Sequence, residues 1–343
     1  MPTTTLVELG ALGAWRDRWD ELVLRQPLPS PFQRTWWLEA VAPDATCLLV
    51  HDGDRLLGGL AVAARTRGGV TLLTAPGPAV LCPDHLDLLT EADARDRVAT
   101  AVGAWFGQPG QRLLDLRGAV ASPVLSEAVG GSHREHDAAP YDVVEPGADW
   151  LATRSSNFRR SVRRSRKRLA ALGFEPRRAE AGRTAASLEE LRRLHESREG
   201  RGALMAELPR LTAAVAAGAE RGEARVDVLA STDEVAAVVL SFVVAGRLSL
   251  YQVARSTAPD HDGAGTVLLA EVIQDAVGGG CHEVDLLRGA EGYKGSFADR
   301  RRPLERVRAA HGAWATTVLH GEDLARRAKE VSASVRSRGG TGS

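Results

Sequence analysis

Val284-Asp285-Leu286-Leu287-Arg288-Gly289-Ala290 reads as a short buried strand that ends in a turn. An apolar run of this length, closed by glycine, fits a strand covered on both faces of a sheet. The helical pattern Gly265–Val277 precedes it, closed by Gly278-Gly279-Gly280, and the loop Arg288–Asp299 follows. Nearly the same stretch, Leu113-Leu114-Asp115-Leu116-Arg117-Gly118-Ala119, stands earlier, after the amphipathic run Ala92–Phe106. Two Leu-rich strands can look alike by chance, so the shared order of elements carries the reading. Around each copy run helices, an antiparallel meander, a helix, the apolar strand and a loop, which points to a duplicated unit. The chain divides accordingly into residues 1–146 and 147–320, with 321–343 expected as a flexible, polar tail. The expected fold class is α/β (α+β): tandem halves, each a mixed, mostly antiparallel sheet flanked by helices.

In the first half, alternation predicts strands over Thr3–Leu9, Thr46–His51, Arg55–Ala64, Val70–Thr74 and Gln111–Leu116, and a last short one over Tyr141–Val144. Phe32–Val41 reads as one aromatic-rich helix. In the second half, helices are expected over Asn157–Leu172, Leu188–His195 and Leu208–Ala219. The meander Ala224–Ala230, Val235–Ala245 and Arg247–Ala254 follows, and Leu304–Ala310 is the final strand.

Lys+Arg and Asp+Glu both number 44 in 343 residues, which argues against a general coat for nucleic acid or membrane. The cations are nearly all arginine; Lys167, Lys294 and Lys329 are the lysines, a bias that fits a GC-rich bacterial genome. Cys47, Cys82 and Cys281 are scattered, which fits a reducing cytoplasm and no disulfide framework. No ligand spacing suggests a metal site. The first residues lack a signal-peptide pattern, and no apolar run approaches a membrane span. The oligomeric state stays open.

The strongest chemical cluster is the loop Ala258-Pro259-Asp260-His261-Asp262-Gly263-Ala264-Gly265-Thr266, which leads from a strand into a helix. Glycine lets backbone amides approach a phosphate, and a helix N-terminus adds partial positive charge. Gly263, Ala264, Gly265 and Thr266 are the expected phosphate cradle; an ordinary helix start is the plain alternative. Further on, Arg288 suits a carboxylate or phosphate, or a salt bridge to Glu291. Glu291 is a candidate proton acceptor, and Tyr293 a candidate donor to a leaving group. Asp87 is a second candidate base, or a loop residue that caps the next helix. Arg154–Arg168 holds eight basic and no acidic residues. Phe158, Val162, Leu169 and Leu172 make its apolar stripe, while Arg159, Arg160, Arg163, Arg164 and Lys167 crowd the other faces. Such a helix suits phosphate or tRNA, or is a solvated charged face.

The order of motifs resembles the GNAT acetyltransferases, and within them the CelD-like branch related to Fem-type aminoacyl transferases. The resemblance is carried by Pro31-Phe32-Gln33, Trp36-Trp37-Leu38 and Asp84-His85-Leu86-Asp87-Leu88-Leu89. It continues in Asn157-Phe158-Arg159-Arg160, Leu194-His195-Glu196-Ser197-Arg198, Gly265-Thr266 and Asp285-Leu286-Leu287-Arg288-Gly289-Ala290-Glu291 with Tyr293-Lys294. The resemblance implies an acyltransferase whose acetyl-CoA, or another acyl-CoA, lies between two splayed strands. Backbone amides near Val253 and Arg255 would then hold the thioester, and the Gly263–Thr266 helix start its pyrophosphate. Lys294 matches a Fem-type active-site lysine, and Trp37, Asp84 and Asp87 would belong to the groove for a small-molecule acceptor between the halves. Asp260 stands where the family carries Arg or Gln; its charge is unfavourable beside a pyrophosphate unless turned away, which leaves a donor on a different tether open. An aminoacyl-tRNA donor and a non-catalytic binding module on the same fold are the alternatives.

Overall fold

In the computed structural model, residues 4–196, 200–289 and 291–325 are described. The first half contains β1 (Thr5–Leu9), α1 (Arg16–Leu24), α2 (Thr35–Val41), β2 (Thr46–Asp52), β3 (Arg55–Arg67), β4 (Val70–Thr74), β5 (Leu89–Thr90), α3 (Arg95–Phe106), β6 (Arg112–Ala119), α4 (Pro123–Ala128) and β7 (Ser132–Val143). The second contains α5 (Trp150–Thr153), α6 (Ser156–Ala171), β8 (Glu175–Arg178), α7 (Thr184–Glu196), α8 (Gly202–Ala206), α9 (Leu208–Glu220), β9 (Ala224–Ala230), β10 (Val235–Val244), β11 (Arg247–Arg255), α10 (Ala264–Gly278), β12 (Glu283–Asp285) and β13 (Arg300–His311).

The strands form one mixed sheet in the order β1-β2-β3-β4-β6-β13-β7-β12-β11-β10-β9-β8, with β5 attached to β3. The halves exchange their last strands. β13 pairs antiparallel with β6 of the first half, and β7 pairs antiparallel with β12 of the second. β7 and β13 also pair with each other, so they form the seam. The expected strand at Tyr141–Val144 is therefore the end of a much longer one. Its start, His133-Arg134-Glu135-His136, is too polar to read as a strand alone, and its partners are the equally charged Glu305–Arg308.

The expected single helix Phe32–Val41 is interrupted. Pro31–Gln33 forms a 3-10 turn, and Arg34 takes extended angles before α2 begins. The side chain of Arg34 explains the break: it donates to the Asp20 carbonyl at 2.8 Å and to both carboxylate oxygens of Glu223. Asp20 in turn accepts from the Thr35 amide at 2.9 Å, which caps α2. This anchors the first half on the second. Above it, Phe32, Trp36 and Trp37 pack on Phe242 and Tyr251 of the second half, with Trp37 within 5.8 Å of both rings. Residues 313–325 are helical, so helix runs into the stretch expected as tail; residues 326–343 lie outside the described residues. Among the described residues, no helix is long and apolar enough to cross a membrane.

Candidate functional site

Among the described residues, each half holds one parallel pair of named strands, β4 with β6 and β11 with β12. The β11–β12 pair is matched only from Arg247–Glu283 to Ser249–Asp285; beyond that the strands part. On its other edge β11 stays paired with β10 to Arg255, and the Ser256 amide donates to the Ala236 carbonyl at 2.8 Å. Hydrogen bonds alternate along an antiparallel pair, so the amides of Gln252 and Ala254 face β10 while those of Val253 and Arg255 face the opening. A crevice beyond the carboxyl ends of parallel strands is where open α/β sheets bind ligands.

β11 leads to the start of α10. Gly263 caps the helix at a left-handed φ of 79°, which glycine adopts without strain. Among the described residues, no acceptor takes the amides of Gly263, Ala264, Gly265 or Thr266, the orphan donors of a helix N-terminus. Two arginines flank them. A side chain at Gly265 would meet Arg255, and Arg168 of α6 donates to the Asp262 carbonyl. Ser165 of α6 packs over Gly263, with its Oγ 2.6 Å from where a Cβ would sit. The basic helix and the glycine-rich start therefore touch. His261 turns inward, packed edge-on against Phe174 at 4.8 Å, while Asp260 and Asp262 are exposed.

The loop after β12 is rigidly held. Leu287 adopts a left-handed φ of 54°, a strained conformation for a branched side chain. Asp285 accepts from the Leu287 amide at 2.7 Å, and Lys294 donates to the Arg288 carbonyl at 2.7 Å. Lys294 is buried and also pairs with Glu291 at 3.0 Å. Burial pushes the Glu291 carboxyl up, but its own amide and Lys294 outweigh this and hold it below the usual range. A side chain at Gly289 would strike Glu291 and Lys294, so glycine is required there. Tyr293 is exposed and meets Phe297 edge-on at 6.2 Å.

Arg288 is bound to the other half. It donates from its amide and its Nε to Asp84, at 2.8 and 2.5 Å, and from Nη2 to the Pro83 carbonyl at 2.7 Å. Asp84 is fully buried; burial raises its carboxyl, against Arg288 and His85. The loop between β4 and β5 thus crosses the wide end of the β11–β12 opening, where the Leu81 carbonyl also accepts from the Tyr251 hydroxyl at 2.8 Å. Behind it, Asp285 is fully buried between Arg302 at 2.8 Å, Arg247 at 3.2 Å and His85 Nε2 at 2.9 Å, the last at an angle short of a hydrogen bond. Burial disfavours its charge, and His85, Arg247 and Arg302 more than offset this, so the carboxyl lies far below the usual range.

Other expected site residues stand apart. Asp87 is half-buried beside Ser122 and Arg95; burial pushes it up to about 6, against the Leu88 amide, Ser122 and Arg95. Trp37 is completely buried in the aromatic core, so it offers no surface to an acceptor, contrary to the expectation. Arg159 is tied to the carbonyls of Ala152 and Arg154, whereas Arg160, Arg163, Arg164 and Lys167 are exposed on α6. His195 is buried on α7, and its motif neighbours Ser197 and Arg198, like Ala290, lie outside the described residues. Sequence reasoning missed Tyr251, Arg247, Arg302 and His136. Tyr251 and Arg247 could be sought as polar side chains in a largely apolar strand, whereas Arg302 stands in the run Arg300-Arg301-Arg302, which gives no such signal. His136 is the unmatched residue at the β7 register shift, and such bulges re-aim side chains near sites. Burial and Arg288 lower its imidazole from the usual range. A separate groove of about 720 Å³, lined by Arg178, Arg225, Asp275 and Cys281, contains none of the expected site residues.

The comparisons with known proteins bear on the fold around this opening. Residues 156–295 match the acetyltransferase (GNAT) domain family. No curated protein matches the chain in sequence. Among solved structures, the chain is similar to FemX, with a TM-score of 0.64 and 11% identity over 88% of this chain and 96% of that one. It is also similar to the C-terminal domain of a lysylphosphatidylglycerol synthetase from Agrobacterium fabrum, with a TM-score of 0.57 and 14% identity over 90% and 95% of the two chains. L-PGS from Bacillus licheniformis gives a TM-score of 0.53 and 13% identity over 79% and 86%. At these identities the likeness shows the fold: a GNAT-like mixed α/β architecture across nearly the whole chain.

Proposed function

We propose that the protein is an acyl-CoA-dependent N-acyltransferase of the CelD-like branch, working in the cytoplasm on an amine of a small molecule or a cell-envelope or natural-product precursor. The donor site belongs to the 147–320 half. The observation that carries this reading is the opening between β11 and β12, lined by the outward amides of Val253 and Arg255 and continuous with four unpaired amides at Gly263–Thr266. Those at the helix start receive the pyrophosphate. Those on β11 hold the thioester arm and its carbonyl, whose developing negative charge they stabilise.

The acceptor nitrogen attacks the thioester carbonyl; the C–N bond forms, the C–S bond breaks and the thiolate leaves. The amine proton passes to a carboxylate. Glu291, on the loop after β12, is the candidate acceptor; Asp87, pushed up to about 6 by burial, is the stronger base but stands apart beside Ser122 and Arg95. Tyr293 can protonate the thiolate. Arg288 and Lys294 hold the loop that faces the acceptor, with Asp84 fixing Arg288.

Isothermal titration of the full chain with acetyl-CoA and with acetyl-phosphopantetheine tests this. Gly265→Asp puts a carboxylate at the helix start against Arg255, where it repels phosphate; we expect acetyl-CoA affinity to fall more than tenfold, with the circular dichroism spectrum showing that the fold is kept. Binding of neither donor would overturn the reading and leave a non-catalytic module on this fold. A second reading, an aminoacyl-tRNA donor, is favoured by the exposed cations of α6 and the fold shared with FemX. Its mark is steeply salt-dependent tRNA binding.

A further inference from the structure

On α6, Arg160, Arg163, Arg164 and Lys167 recur at i, i+3, i+4 and i+7 and form one stripe about 10 Å long. The stripe lies opposite Phe158, Val162 and Leu169, which face the core. All four cations are exposed, and among the described residues none has a carboxylate partner. Their neighbours are occupied: Arg159 by carbonyls of Ala152 and Arg154, Arg166 by Glu271, and Arg168 by the Asp262 carbonyl. Helices α7 and α9 pair surface cations with carboxylates, while Arg18 of α1 and Arg95 of α3 stand singly without one among the described residues. Arg192 pairs with Glu189 and Glu196, Arg193 with Glu190, and Arg210 with Glu207. Like charges three and four residues apart destabilise a helix. The bare stripe is therefore kept at a cost that an anionic partner would remove.

The place of α6 narrows the partner. Ser165 packs on Gly263 and Arg168 holds the Asp262 carbonyl, so the stripe and the helix start of the donor site form one unit. That start carries two exposed carboxylates, Asp260 and Asp262, with no cation on either among the described residues. Free CoA brings a pyrophosphate and a phosphate ester to this spot. A phosphopantetheine arm tethered to a protein brings a single phosphodiester, which two carboxylates repel less. The outer face of α6 presents no aromatic ring for base stacking, and Phe158 is turned onto Trp150 and Phe297. Its apolar stripe is used in the core, so the helix has none left for a lipid surface.

Resting on the acyltransferase reading, we infer that the acyl group arrives on the phosphopantetheine arm of an acidic carrier protein, docked through its carboxylates on Arg160, Arg163, Arg164 and Lys167. The arm enters at Gly263–Thr266, and acetyl-CoA is its small-molecule substitute.

The test compares the full chain with the quadruple variant Arg160→Gln, Arg163→Gln, Arg164→Gln and Lys167→Gln, which keeps good helix formers throughout. The probes are a bacterial acyl carrier protein bearing an acetylated arm, acetyl-phosphopantetheine and bulk tRNA. The expected result is that the wild type binds the loaded carrier at least tenfold more tightly than the free arm, and that this advantage fades with salt. The variant loses the advantage while binding the free arm unchanged and unfolding at a similar temperature. A carrier bound no better than the free arm, or equally well by the variant, overturns the inference and leaves the acyltransferase reading standing. So does salt-steep tRNA binding without carrier binding. If neither the free arm nor the loaded carrier binds, both fail together.

Discussion

The two parallel strand pairs make an instructive contrast. In the first half, the opening after β4 and β6 is closed by the chain itself: Leu86 bridges to Ala119, its amide donates to the Gly118 carbonyl at 3.0 Å, and its carbonyl accepts from the Val120 amide at 2.9 Å. The helix that follows β4 in the chain, α3, is entered through Glu91-Ala92-Asp93-Ala94, without glycine. In the second half the corresponding strand edge keeps outward amides, and the helix start is built on Gly263 and Gly265. One copy has turned its opening into structure, and the loop that did so reaches across to brace the other copy through Asp84 and Arg288. On the proposed reading the two halves divide the labour, one supplying walls for the site of the other.

The largest test of this division compares two aspartates. Asp285 is buried with Arg247, Arg302 and His85, so Asp285→Ala strands buried charge and should cost about 3–5 kcal/mol in urea unfolding. Asp115, in the first copy, pairs with Arg306 nearer the surface, and Asp115→Ala should cost about 1–2 kcal/mol. Equal losses would break the contrast. Next, Gly118 has a φ of 76°, and a side chain there would strike Arg288 and the Pro83 carbonyl. Gly118→Ala should cost about 1–3 kcal/mol and lower turnover, although Gly118 belongs to the half without the donor site; unchanged kinetics would mean that the brace does not matter to the chemistry. The smallest effect concerns Asp87. Its folded carboxyl titrates at about 6, above the ordinary value, so the folded state holds the proton more tightly. Its contribution is present at low pH and is lost as pH rises from about 4 to 6. Asp87→Asn should gain stability relative to wild type across that window, read as thermal midpoints against pH.

The sequence made the repeated order of elements legible, because a meander, a glycine-rich helix start and a Leu-rich strand are each local patterns. The exchange of β7 and β13 was not legible, since it depends on which distant strands find each other. The long polar start of β7 hid for the same reason: its charges answer Glu305 and Arg306, far away in sequence. At the candidate site, Gly263–Thr266 and Arg288–Glu291 were singled out from glycine placement and side-chain chemistry, and Lys294 from the family resemblance. That Arg288 would be taken up by Asp84, and Trp37 by the core, required the packing of one half on the other.

The strand exchange also bears on how the protein comes into being. β6 gains its second neighbour only when residues 300–311 have left the ribosome, long after β6 itself. Until then the first half waits with an unpaired edge, the kind of surface that invites wrong partners. Truncating the chain before Arg300 should therefore yield insoluble protein rather than a working amino-terminal fragment, and slow, contact-distant closure of that seam should limit the rate of folding.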